Sequence, residues 1–195
     1  MVRSDQMRCG NFVFSETTIQ GVVVVEPIAY EDERGFFMET YKRPDFVKGG
    51  IEADFVQDNH SSSSKGVVRG LHFQKKHPQS KLVRVVLGEV FDVAVDLRPQ
   101  SPTFGCWEGV ILSAENRRQL YIPRGFAHGF MVLSDKAEFC YKCDDVYHPD
   151  DEGGLMWDDP DIGITWPNIE DAIILSEKDR SNGSMREFRS GRLGE

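Results

Sequence analysis

Apolar and polar positions alternate most clearly over residues 90–97, VFDVAVDL. Phe91, Val93, Val95 and Leu97 fall on one face; Asp92, Ala94 and Asp96 fall on the other. This is the period-2 signature of a half-buried β-strand. The preceding run, residues 81–87 (KLVRVVL), is branched and apolar. Gly88-Glu89 between them reads as a turn, so the two runs are predicted to form a hairpin. Further strands are predicted at 21–28, 35–41, 67–73, 107–112, 119–122, 127–133 and 138–143. Helical periodicity is weak and supports only short turns at 42–47 and 169–173. Many short strands separated by turn signals predict an all-β sandwich or barrel. The serines at 61–64, followed by Lys65-Gly66, read as a polar loop. Residues 182–195 are polar and glycine-bearing and read as a poorly packed tail.

The chain has 195 residues, with no internal repeat and no linker. One domain over 1–195 is expected, with its core at about 21–180 and a tail at 181–195. A content of 39% hydrophobic and 28% charged residues excludes global disorder. The net charge is −9, from 32 acids against 23 bases. That balance argues against a general binder of nucleic acid or anionic membrane. An anionic ligand would need a local basic pocket. No apolar run approaches the roughly 20 residues of a membrane span, and residues 1–11 lack the apolar core of a secretion signal. The cytoplasm is the expected location. Cys9, Cys106, Cys140 and Cys143 read as free thiols.

A strand-built barrel with an open mouth can hold a small ligand among inward-facing side chains. An imidazole is the side chain best suited to general-base work at neutral pH, so His72, in RGLHFQ (69–74), would serve as a general base; a hydrogen-bonded structural histidine is the plainer reading. Arg69 has the opposite strand parity. Both side chains reach one cavity only if the strand twists or bulges at Gly70. Tyr141 and Tyr147 are proton donors if the phenol pKa is lowered, or else simply packed rings. Arg34, Arg69, Lys81, Arg84 and Lys178 suit an anion, or water. Asp92 and Asp96 would neutralise a buried lysine, orient a histidine or face solvent. Cys140-x-x-Cys143 lies on a strand, where positions three apart point to opposite faces, and no second cysteine pair exists. His60, His72, His77, His128 and His148 contain no His-x-His pair. No metal or redox site is predicted from these spacings. Phosphate loops, dinucleotide fingerprints and nucleophile elbows are absent.

Several motifs occur in a fixed order: DERGFF (32–37), FVQDN (55–59), RGLHFQ (69–74), KLVR (81–84), GEVFDVAVD (88–96), SPTFG (101–105), IPRGFAHGF (122–130) and LSEKD (175–179). The series closely resembles the dTDP-4-dehydrorhamnose 3,5-epimerase family over about residues 21–179. The resemblance implies a cupin-type jelly roll, a homodimer, and neither metal nor redox cofactor. It implies conversion of dTDP-4-dehydro-6-deoxy-D-glucose to dTDP-4-dehydro-L-rhamnose. Carried over residue by residue, it makes His72 the base, Asp179 its partner, Tyr141 the acid and Lys81 the neighbour of the sugar carbonyl. It implies ligand contacts at Arg34, Glu39, Gln57, Asn59, Arg69, His128, Tyr147, Glu152 and Lys178. Arg34 and Glu39 would come from the partner subunit through an exchanged N-terminal strand. Two other readings stand beside this one: a relative that inverts a single carbon, and a cupin that binds sugar nucleotides without turnover.

Overall fold

The structure, a computed structural model, describes residues 6–191. The ends of the predicted tail, residues 192–195, and the first five residues lie outside that range. Fourteen strands alternate with three short helices in the order β1 (Gln6–Cys9), β2 (Phe12–Glu16), β3 (Val23–Pro27), β4 (Ala29–Asp32), β5 (Gly35–Met38), α1 (Arg43–Lys48), β6 (Gln57–Ser64), β7 (Val68–Gln74), β8 (Lys81–Leu87), β9 (Glu89–Asp96), β10 (Trp107–Ser113), β11 (Gln119–Ile122), β12 (Phe126–Val132), β13 (Lys136–Cys143), β14 (Glu152–Gly154), α2 (Glu177–Arg180) and α3 (Met185–Arg189). A seven-stranded sheet runs β1-β2-β3-β11-β8-β13-β6, and a five-stranded sheet runs β10-β9-β12-β7-β14. All ladders are antiparallel, and the two sheets face each other as a cupin-type jelly roll.

The predicted β8–β9 hairpin does not form. Gly88 carries the chain from one sheet to the other: β8 pairs with β11 and β13, and β9 with β10 and β12. A Cβ at Gly88 would stand 2.0 Å from the Lys136 carbonyl oxygen, so this crossing needs glycine. Nor is β9 half-buried. Between the sheets, Val90 and Ala94 meet Val83, Val85, Phe130 and Phe139. Behind the five-stranded sheet, Val93 and Val95 meet Leu71, Leu155, Ile162 and Met185. A third cluster lies behind the larger sheet, where Phe12, Phe14 and Leu82 pack on Phe46 and Ile51.

Residues 182–191 correct the expectation of a loose tail. Ser184 and Glu187 form a reciprocal capping box at the start of α3, and Met185 is fully buried. The serine run is also no loop. It belongs to β6, an edge strand on β13 whose residues 57, 59, 61 and 63 turn inward and 58, 60, 62 and 64 face water. The predicted turn at 169–173 is not helical; the chain there runs toward a bridge between Val67 and Ile174.

Candidate active site

A cavity of about 720 Å³ opens between the two sheets, within the size range of small-ligand sites. One wall is the five-stranded sheet, contributing Arg69 and His72 from β7 and His128 and Phe130 from β12. The other wall contributes Gln57, Asn59 and Ser61 from β6, Lys81 from β8, and Phe139, Tyr141 and Cys143 from β13.

Arg69 and His72 share the cavity because β7 carries the expected irregularity. On β12 the partners of Arg69 and His72 are Phe130 and His128, so three steps on β7 match two on β12. The extra residue is a β-bulge that shifts the parity. Gly70 makes it possible: its φ is +119°, and a Cβ there would lie 2.6 Å from Gly129 Cα.

His72 Nε2 meets Asp179 Oδ1 at 2.5 Å. The Ser176 hydroxyl donates to Asp179 Oδ2 at 2.8 Å and accepts the Asp179 backbone N–H at 3.0 Å. Burial alone would raise the Asp179 carboxyl; His72, Ser176 and the Gly70 amide outweigh it and hold the group below its ordinary value. An ionised Asp179 accepts the Nε2 proton, which leaves Nδ1 as the basic nitrogen of a neutral ring.

Directly across the ladder, His128 Nε2 lies 2.9 Å and 3.1 Å from the two oxygens of Asp92. Asp92 is fully buried and His128 nearly so. Burial pushes the His128 imidazole down despite the pull of Asp92, with Lys81 and His72 acting in the same downward direction. Burial likewise lowers the Lys81 ammonium, against Asp92 and Glu152. Among the described residues Lys81 makes no ion pair within 4 Å.

Burial raises the Tyr141 phenol, so the lowering on which its reading as a donor is conditioned is not met and its proton is held more firmly. At the rim, Glu152 accepts hydrogen bonds from both Tyr147 Oη and Lys178 Nζ. Its hydrogen bond to Glu152 pushes the Tyr147 phenol up to about 12. Helix α2 thus delivers Lys178 to Glu152 and Asp179 to His72 from adjacent positions. Gln57 donates to Asn59 at 3.0 Å and accepts the Tyr147 backbone N–H at 2.9 Å. Arg69 Nε donates to Ser63 Oγ at 3.1 Å.

A family profile described as dTDP-4-dehydrorhamnose 3,5-epimerase matches residues 16–187. This chain belongs to that family. The dTDP-4-dehydrorhamnose 3,5-epimerase of Methanothermobacter thermautotrophicus is 56% identical over 177 residues, covering 90% of this chain and 96% of its own. The crystal structure of the dTDP-6-deoxy-D-glucose-3,5-epimerase of Legionella pneumophila in complex with dTDP-4-keto-L-rhamnose superposes with a TM-score of 0.88. It is 50% identical, over 92% of this chain and 96% of that one. A 3'-monoepimerase from Streptomyces bikiniensis in complex with dTDP-quinovose is more distant: 34% identity and a TM-score of 0.84, over 91% and 90% of the two chains.

Against the epimerase pattern, the single chain assembles His72, Tyr141, Asp179, Lys81, Gln57, Asn59, Arg69, His128, Tyr147, Glu152 and Lys178 in or beside one cavity. Arg34 and Glu39 lie outside it. Arg34 pairs with Asp32 on the exposed β4–β5 hairpin, and Glu39 accepts from Asn11 at 2.8 Å. Arg84 points away from the cavity, into a dimple it shares with Cys140. Cys140 and Cys143 do occupy opposite faces of β13. All four cysteines are free, and burial pushes the Cys143 thiol up to about 11. Of the two β9 carboxylates, Asp92 orients a histidine. Asp96 instead binds Arg98, Ser101 and Thr103 in the following loop. Ser176 and the stacked Phe130–Phe139 pair, 4.2 Å between centroids, were not singled out from sequence. An N-cap serine three residues before an aspartate was the available signal for Ser176.

Proposed function

We propose that this epimerase inverts C3 and C5 of dTDP-4-dehydro-6-deoxy-D-glucose, giving dTDP-4-dehydro-L-rhamnose for dTDP-L-rhamnose synthesis. One observation carries the assignment of roles: an aspartate-held histidine and a half-buried tyrosine line one cavity from opposing sheets. Carbons 3 and 5 flank the C4 ketone, so their hydrogens are acidic. A base on one face and an acid on the other invert each centre through an enolate. Each carbon loses one proton and regains one, so the net reaction is redox-neutral.

His72 Nδ1 removes the proton, and Asp179 fixes the tautomer and stabilises the imidazolium. Lys81 and Arg69 stand where negative charge grows on the ketone oxygen. Tyr141, protonated at rest, gives its proton to the enolate carbon from the far wall and regains one from solvent before the next inversion. Each positioned acid or base contributes about 10²- to 10⁴-fold in rate. Gln57, Asn59, His128, Tyr147, Glu152 and Lys178 hold the nucleotide sugar. Arg34 and Glu39 complete the neighbouring cavity in a homodimer. The exposed hairpin that carries Arg34 supports this reading, because Tyr30, Phe36 and Phe37 stand 54–68% exposed on it. The whole chain, residues 1–195, acts as one unit. No described helix is long and apolar enough to cross a membrane, and we place the enzyme in the cytoplasm.

Proton NMR of the ketosugar in deuterium oxide tests the assignment. Label at both C3 and C5 is expected. Label at one carbon only would make the protein a single-centre epimerase, and label at neither would make it a binder.

A further inference from the structure

The segment bearing Asp179 is pinned to β7 on both sides of the carboxylate. Upstream, the Val68 N–H donates to the Ile174 carbonyl at 3.0 Å, and the Ile174 N–H to the Gly66 carbonyl at 2.9 Å. Downstream, Asn182 Nδ2 donates to the carbonyls of Gly70 and Leu155, each at 3.4 Å. Those bonds place the Asp179 backbone. They leave its side chain free to turn, because the terminal torsion of an aspartate is broad.

Ser176 supplies the missing restraint. Its oxygen accepts the Asp179 N–H, and its only proton goes to Oδ2. The carboxylate is therefore held by the Ser176 hydroxyl on one oxygen and the His72 ring on the other, with the Gly70 amide as a third donor from the backbone. Asp179 is 5% exposed, so water is poorly placed to replace the serine.

We propose that Ser176 is a positioning residue of the epimerisation: its hydroxyl locks the carboxylate orientation in which Asp179 holds His72. The catalytic consequence rests on the assignment of His72 as base. Without the Ser176 hydroxyl, the Gly70 amide alone opposes rotation away from His72, and the ring loses its fixed tautomer.

Three variants separate this role from simple helix capping. In Ser176→Ala, kcat and the rate of deuterium entry fall roughly ten- to hundredfold, the worth of a charge-assisted hydrogen bond, while KM stays within about twofold. Ser176→Thr keeps the hydroxyl and recovers most of the rate. Ser176→Gly is tolerated at an N-cap at little cost but has no hydroxyl to give. It melts near the parent temperature and remains slow. A kcat within twofold of the parent in the Ala or Gly variant overturns the proposal. The low-field proton resonance of the His72–Asp179 bond gives a readout independent of turnover. It broadens or moves upfield in Ser176→Ala; an unchanged resonance there overturns the positioning role. Failure of the parent protein to turn over the ketosugar overturns the assigned reaction instead, and the resonance still decides the role of Ser176.

Discussion

His72 and His128 stand opposite each other across the β7–β12 ladder, and each rests on its own aspartate. The two pairs are not equivalent. The His128–Asp92 pair is sealed, with side chains 8% and 0% exposed, and burial favours a neutral ring. The His72 side chain is 31% exposed to the cavity, while its partner is buried. That contrast supports the proposed roles, in which His72 exchanges protons with the ligand and His128 makes fixed hydrogen bonds.

Replacing His72 tests that division. His72→Asn is expected to lower kcat by at least about 10²-fold and to abolish label entry at both carbons. Calorimetric affinity for dTDP should change by only a few-fold. Full activity in this variant removes His72 from the chemistry.

The far wall has its own signature. In Tyr141→Phe the first proton still leaves, so exchange at the abstracted position continues while inverted product fails to accumulate. The ratio of washed-out label to product, read by NMR, should rise by roughly an order of magnitude or more. An unchanged ratio assigns the donor to another group.

Gly70 is required by the bulge that brings Arg69 and His72 to one side. Gly70→Ala adds a methyl 2.6 Å from Gly129 Cα at a φ of +119°. Unfolding in urea should show a loss of about 2 kcal/mol or more, seen as a lower midpoint with an unchanged slope.

Asp96 contributes to acid stability. Burial alone would raise its carboxyl, but Arg98, Ser101 and Thr103 outweigh burial and hold it at about 2. The unfolded carboxyl titrates near 3.9. The folded value is depressed, so the stabilisation is complete above about pH 5 and is lost as pH falls from about 4 toward 2. The difference corresponds to on the order of 2 kcal/mol. Asp96→Asn should lower the melting temperature at pH 7 and flatten its dependence on pH over that window.

Much of the barrel was legible from periodicity. Strands β8 and β11 fall where alternation and turn signals put them, and the bulge at Gly70 follows from requiring two polar residues of opposite parity to meet. What failed was non-local. Nothing within residues 81–97 says that β8 pairs with β13 rather than β9. Edge strand β6 faces a polar cavity on one side and water on the other, so it has no need of apolar residues and reads as a loop. Asp92 and Asp96 share parity and strand; only the residues across the ladder and beyond its end separate a histidine support from a loop anchor. For α3, one buried methionine and a capping box outweigh a polar composition.

The cover formed by residues 155–188 behind the five-stranded sheet carries Asp179 as well as Ile162 and Met185. A growing chain that has completed β13 already contains the imidazole, the phenol and the lysine, yet has no carboxylate for the imidazole and leaves Val93 and Val95 bare. Synthesis must therefore pass residue 179 before His72 has its carboxylate, and residue 185 before Val93 and Val95 are fully covered.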